Sequence, residues 1–198
     1  MKTQASTVVI VMAVGAFVFA TADALRASPV ARTTSIAYAD GAAPGFSGGF
    51  GESSCDACHF EAAVNTPPGQ VTLTGIPERF APGTAYPITV TLSRPGMMIG
   101  GFQLAARFEK GGAQAGTLAA GPGEEKRIKM EPGAIQYANQ RLAGTALTGP
   151  GSVKWVVVWT APPATGAVVF HVAANAANND EAARGDYVYT AVATSQPQ

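Results

Sequence analysis

The chain is poor in cysteine, in histidine and in charge, and each shortage excludes something. Two cysteines among 198 residues cannot make a disulfide framework, so any stapling of the fold comes from another source. Charged residues are 13% of the chain, about half of what an ordinary soluble domain carries, and 13 basic side chains balance 13 acidic ones. A formal net charge of zero removes the electrostatic footprint of a nucleic-acid binder. No glycine-rich phosphate cradle is present, and with only two histidines there is little to build a Ser/His/Asp site from. What is abundant is apolar surface, at 47%, together with 23 glycines and 14 prolines. That composition supports a packed core and favours turn-rich β architecture over a helical bundle.

The N-terminus has the pattern of an export signal. Lys2 precedes an apolar run from Val8 to Ala20, and Ala22-Asp23-Ala24 supplies the small-x-small pattern of a cleavage site. As a helix the run would reach only about 20 Å, short of a hydrocarbon core of roughly 30 Å. Residues 1–24 are therefore expected to be a signal peptide and the mature protein to be periplasmic or extracellular. Membrane association is expected only through an uncleaved anchor. Residues 25–44, rich in Ala, Ser and Thr, are expected to be a flexible linker, 45–68 an attachment segment, and 69–196 a folded domain.

From residue 70 onward the chain alternates with a period of two. Ile88, Val90 and Leu92 share one face, with hydroxyl residues between them. Phe102, Leu104, Ala106 and Phe108 oppose Gln103 and Arg107, and Trp155, Val157 and Trp159 line another strand. Val168, Phe170 and Val172 follow, then Tyr187, Tyr189 and Ala191, with shorter candidates at Val71–Thr74, Gly116–Ala119 and Ile135–Ala138. Roughly seven or eight short strands between Gly/Pro turns predict an all-β, antiparallel β-sandwich. Glu124-Glu125-Lys126-Arg127 with Lys129 is expected to form a solvated hairpin.

The chemistry concentrates in Cys55-Asp56-Ala57-Cys58-His59, the C-x-x-C-H pattern of c-type haem attachment. A serine-capped turn or two of helix over Ser53–Ala63 would bring both thiols to one porphyrin edge. His59 would then be the proximal iron ligand. Three other uses of these residues stand beside that one. They are a redox dithiol, a zinc site of Cys55, Cys58, His59 and His171, and a plain Cys55–Cys58 disulfide. For haem, the distal ligand decides the class of activity, and the candidates are Met97, Met98 and His171, with Met130 weaker. A sulfur or imidazole ligand suits electron transfer, whereas an open position suits a gas sensor or peroxidase. His171, on the face opposite Phe170 and Val172, is expected to be exposed. Phe46, Phe50 and Phe60 would either pack on the porphyrin or pin the segment to the sheet. The Asn175, Asn178, Asn179, Asp180 and Asp186 cluster offers calcium-type oxygens in residues that also favour turns.

Beyond these motifs, Gly48-Gly49-Phe50-Gly51 ahead of the Cys/His pattern resembles exported bacterial monohaem segments fused to a reelin-type domain. Gly101-Phe102-Gln103-Leu104-Ala105-Ala106-Arg107 is similar to that domain's G-F-x-L-x-A-R strand, and Trp159-Thr160-Ala161-Pro162 to its W-T-A-P turn. Gly166–Phe170 and the run from Asn175 to Tyr189 continue the likeness, which covers roughly Gly45 to Ser195. The resemblance implies an immunoglobulin-like β-sandwich with a haem-carrying N-terminal segment. The expectation is one covalently bound haem c, non-enzymatic electron transfer and a redox partner protein. The alternative is a binding or adhesion module in which haem is structural or absent.

Overall fold

The computed structural model describes residues 40–163 and 165–198, so the predicted signal peptide and most of the predicted linker lie outside the described residues. Among the described residues no helix is long and apolar enough to cross a membrane.

Among the described residues ten strands form two facing sheets: β1 (Gln70–Thr74), β2 (Arg79–Phe80), β3 (Ala85–Ser93), β4 (Ile99–Phe108), β5 (Thr117–Ala120), β6 (Ile128–Glu131), β7 (Tyr137–Gln140), β8 (Ser152–Thr160), β9 (Val168–Ala177) and β10 (Tyr187–Pro197). One sheet has the order β1-β3-β8-β5 and the other β2-β10-β9-β4-β7-β6. All pairings are antiparallel except the two-residue β2–β10 contact. The expected immunoglobulin-like β-sandwich is the observed fold.

Period-two alternation explains the long strands. In β3 the side chains of Ile88, Val90 and Leu92 are fully buried, and in β8 those of Val153, Trp155, Val157 and Trp159. The two indoles anchor the core. Trp159 meets Phe170 edge-on at 4.9 Å and Phe80 at 5.4 Å, while Trp155 lies 4.6 Å from Phe102. Each indole N–H donates to a buried carbonyl, Trp155 to Gly144 and Trp159 to Ala115, both at 2.8 Å.

Three expectations change. The charged stretch at 124–129 is not simply a solvated hairpin. Ile128 is buried and opens β6, which pairs with β7, while Glu124 and Arg127 close a 2.7 Å ion pair ahead of it. Strand β2 went unpredicted because two residues carry no periodicity. The outer face of the six-stranded sheet does not face water here either: Gln103 of β4 and Asn139 of β7 are buried beneath residues 40–54. The end of the predicted flexible linker therefore belongs to the fold, since Ala42 and Ala43 carbonyls accept from Asn139 and Gln103.

Candidate functional site

The cover over the six-stranded sheet is fixed chiefly by Glu52. Its carboxylate accepts from Arg107 Nη1 at 2.6 Å, from Ser47 Oγ at 2.7 Å and from the Tyr137 hydroxyl. Burial and the neighbouring Glu52 push the Tyr137 phenol well above its ordinary range. Gly49 lies directly on His171: a β-carbon there would stand 2.3 Å from His171 Cγ. Phe50 meets the imidazole edge-on at 5.4 Å and receives Arg107 on its ring at 4.4 Å. His171 is thus half-buried under the N-terminal segment and not an exposed strand histidine. Burial lowers its pKa, with Arg107 adding to the effect and Glu52 opposing it.

After Ser54 the chain makes a single 3-10 turn, Cys55–Ala57, in place of the expected turn or two of helix. Ser54 does not cap it, because its hydroxyl contacts Asp56 Oδ1 at 2.5 Å. Cys58 N–H donates to the Cys55 carbonyl at 3.2 Å, and His59 N–H donates to the same carbonyl at 2.9 Å. Cys55 opens the turn and Cys58 is its C-cap, so the two cysteines lie one short turn apart. Both cysteines are free, Cys55 half-buried and Cys58 exposed. Burial pushes the Cys55 thiol up to about 12. A redox dithiol needs a lowered thiol pKa, so this environment opposes that use.

His59 is held from across the molecule. Its Nδ1 lies 2.7 Å from Oδ2 of Asp186, 127 residues away in the chain. Asp186 is 2% exposed and accepts two further hydrogen bonds, from Asn175 Nδ2 at 3.1 Å and from the Asn178 N–H at 3.1 Å. Asn175 Oδ1 is buried without a partner. Turning that amide over would aim oxygen at the Asp186 carboxylate, so leaving Oδ1 unpaired is the smaller cost. Nothing among the described residues hydrogen-bonds His59 Nε2. Glu61 reaches the Gly185 N–H at 3.1 Å, and Asn65 exchanges hydrogen bonds with β10 at Val188 and Thr190. The segment after the cysteines is therefore laced to β10 and to the β9–β10 loop.

The distal candidates separate. Met97 is 5% exposed and belongs to the sandwich core. Met130 is half-buried on β6 and packs against that core. Met98 is 59% exposed, and its N–H donates to the Ala177 carbonyl at 2.8 Å, two residues beyond Asn175. The four-residue zinc set does not assemble, since no group of three or more His, Cys, Asp or Glu converges among the described residues. Of the three phenylalanines, Phe50 pins the cover to His171, and Phe46 is tied by its N–H to Gln103. Phe60, beside His59, keeps an exposed ring. Within the Asn/Asp cluster, Asp180 and Asn178 bond each other and Asp186 serves His59, while Asn175 Oδ1 keeps no partner.

The residues present fit covalent haem in their donor chemistry, with two free thiols on one turn and an imidazole whose unengaged nitrogen is available to a metal. Beside the turn lies an open cleft of about 430 Å³, walled by polar side chains including Glu52, Ser54 and Asp56. The sequence analysis does not single out Glu52, and it reads Asn175 only as a member of the Asn/Asp cluster. Asp186 carried a signal only as one member of a turn-forming cluster.

No family model matches the chain, and no curated protein matches it. Among solved structures it is similar to a human F-spondin reeler domain, with 19% identity over 68% of this chain and 93% of that one and a TM-score of 0.45. It is also similar to the Reelin-N domain of F-spondin, at 19% identity over 73% and 95% with a TM-score of 0.47. A cohesin module from a Clostridium perfringens family 33 glycoside hydrolase matches at 8% identity over 67% and 98%, with a TM-score of 0.47.

Proposed function

We propose that this chain is an exported monohaem c-type cytochrome-like protein that passes electrons to a partner protein. The observation that carries the reading is the geometry of Cys55–His59. Two free thiols stand at the start and at the C-cap of a single 3-10 turn, and the histidine that follows has Nδ1 engaged and Nε2 open. In this reading Cys55 and Cys58 hold the porphyrin through thioethers, and His59 Nε2 is the proximal ligand. Bound haem supplies one-electron chemistry at iron, with axial ligands that set its potential.

Met98 is the distal candidate that the burial pattern favours. Met97 would have to leave the core, and His171 would have to shed Gly49 and Phe50. The exposed Phe60 beside His59 supports a haem left partly open to a partner.

Absorption spectra of the exported protein, oxidised and reduced, with and without carbon monoxide, test the reading. The expected result is a six-coordinate spectrum insensitive to carbon monoxide, which becomes carbon-monoxide-binding in Met98→Ala. Carbon monoxide binding by the unmodified protein would instead indicate the sensor or peroxidase class. A colourless protein would indicate a haem-free binding module.

A further inference from the structure

We infer that Asp186 is a positioning residue for the His59 imidazole, holding it as the Nδ1–H tautomer so that Nε2 is left to a metal, whose reduction potential this partner would lower. The inference rests on the haem reading only for its second half, since the tautomer is a property of this chain alone.

Three features carry it. First, the contact is short, 2.7 Å, and the carboxylate is 2% exposed, so water does not compete for it. Second, Asp186 cannot turn away, because Asn175 Nδ2 holds the oxygen that faces His59 and the Asn178 N–H holds the other. Third, every group aimed at Asp186 is a donor. A neutral imidazole meeting a carboxylate under those conditions must present N–H at Nδ1, which leaves the lone pair on Nε2. A carboxylate behind a ligating histidine fixes the ring and makes it more electron-donating, and loss of such a partner typically weakens metal binding by about 10–100-fold. A more donating imidazole favours the oxidised metal and lowers the potential.

The loop that carries Asp186 thereby acquires a role that a turn-forming cluster would not have. It brings the end of the β9–β10 hairpin under the attachment turn, and Glu61 and Gly185 close the same joint at 3.1 Å.

Substituting Asp186→Asn makes an opposite prediction at one atom. An amide nitrogen facing Nδ1 would turn that nitrogen into an acceptor and move the proton to Nε2. The test uses the full chain in two forms, haem-free from a host without cytochrome maturation and matured from a host with it. In the haem-free protein, ¹⁵N NMR of neutral His59 is expected to report the Nδ1–H tautomer, and Asp186→Asn the Nε2–H tautomer. In the matured protein the midpoint potential is expected to rise in Asp186→Asn and to return towards the unmodified value in Asp186→Glu. An Nε2–H tautomer in the unmodified protein overturns the inference, and that measurement needs no variant to fold. A coloured protein whose potential is unmoved by Asp186→Asn overturns it as well. A colourless matured protein overturns the haem proposal and the potential shift together, while the tautomer measurement still decides the positioning role on its own.

Discussion

His171 has two neighbours in the cover, the buried Gly49 and the exposed ring of Phe50 at its edge, and their burden falls on its charge. Burial lowers its pKa from the ordinary 6.5. Just below 6.5 the unfolded chain takes up this proton before the folded one does, so folded stability declines as pH falls through that window. Above 6.5 both states are neutral and the contribution is fully present. Denaturation measured from about pH 7.5 down to about pH 5 should show that loss, and His171→Gln should reduce it. An unchanged slope in the variant would contradict the assignment. The companion histidine shows how far single residues can be read in advance. The C-x-x-C-H spacing singles out His59 as a candidate, because both thiols and the imidazole lie within five consecutive residues. Asp186 was invisible as its partner, since 127 residues separate them and only the docking of residues 60–65 on β10 and the β9–β10 loop brings them together.

The segment 40–54 behaves as an element without secondary structure. It has no strand pairing of its own, and its attachment to the six-stranded sheet runs through side chains such as Gln103, Arg107 and Tyr137. That is why the sequence pattern sets Gln103 and Arg107 only opposite the apolar face: the cover is glycine-rich and aperiodic, so nothing in its pattern announces that it covers anything. The strands themselves were legible wherever alternation ran long enough, as in β3 and β8. They were missed where it did not, as in β2 and in β6, whose single buried apolar side chain is Ile128. Two predictions belong at this scale. Gly49→Ala places a methyl group inside the imidazole of His171 and should cost about 1–3 kcal/mol of stability by denaturant titration. Glu52→Ala removes the acceptor shared by Arg107, Ser47 and Tyr137, and should speed hydrogen exchange across residues 46–53 while β3, β8 and β9 stay protected. Equal acceleration in the core strands would mean that the cover is not a separable unit.

Across the whole molecule, the sandwich serves as a rigid back plate whose stability comes from its two tryptophans. Trp155→Phe should cost about 1–3 kcal/mol, because it strands the Gly144 carbonyl. Trp159→Ala should cost about 3–5 kcal/mol, because it opens a cavity between Phe80 and Phe170. Neither residue touches the attachment turn, so both variants are expected to keep their colour where they fold. The outer face of the six-stranded sheet then presents the N-terminal segment: Glu52 anchors its beginning, β10 its end, and Asp186 the histidine between. The most direct measurement on the matured, exported chain is whether haem stays with the polypeptide after full denaturation. The account predicts a haem-staining band at the mass of the protein that weakens in Cys55→Ala or Cys58→Ala and vanishes in the double variant. A colourless band, with both thiols free to react in the unfolded chain, would contradict it.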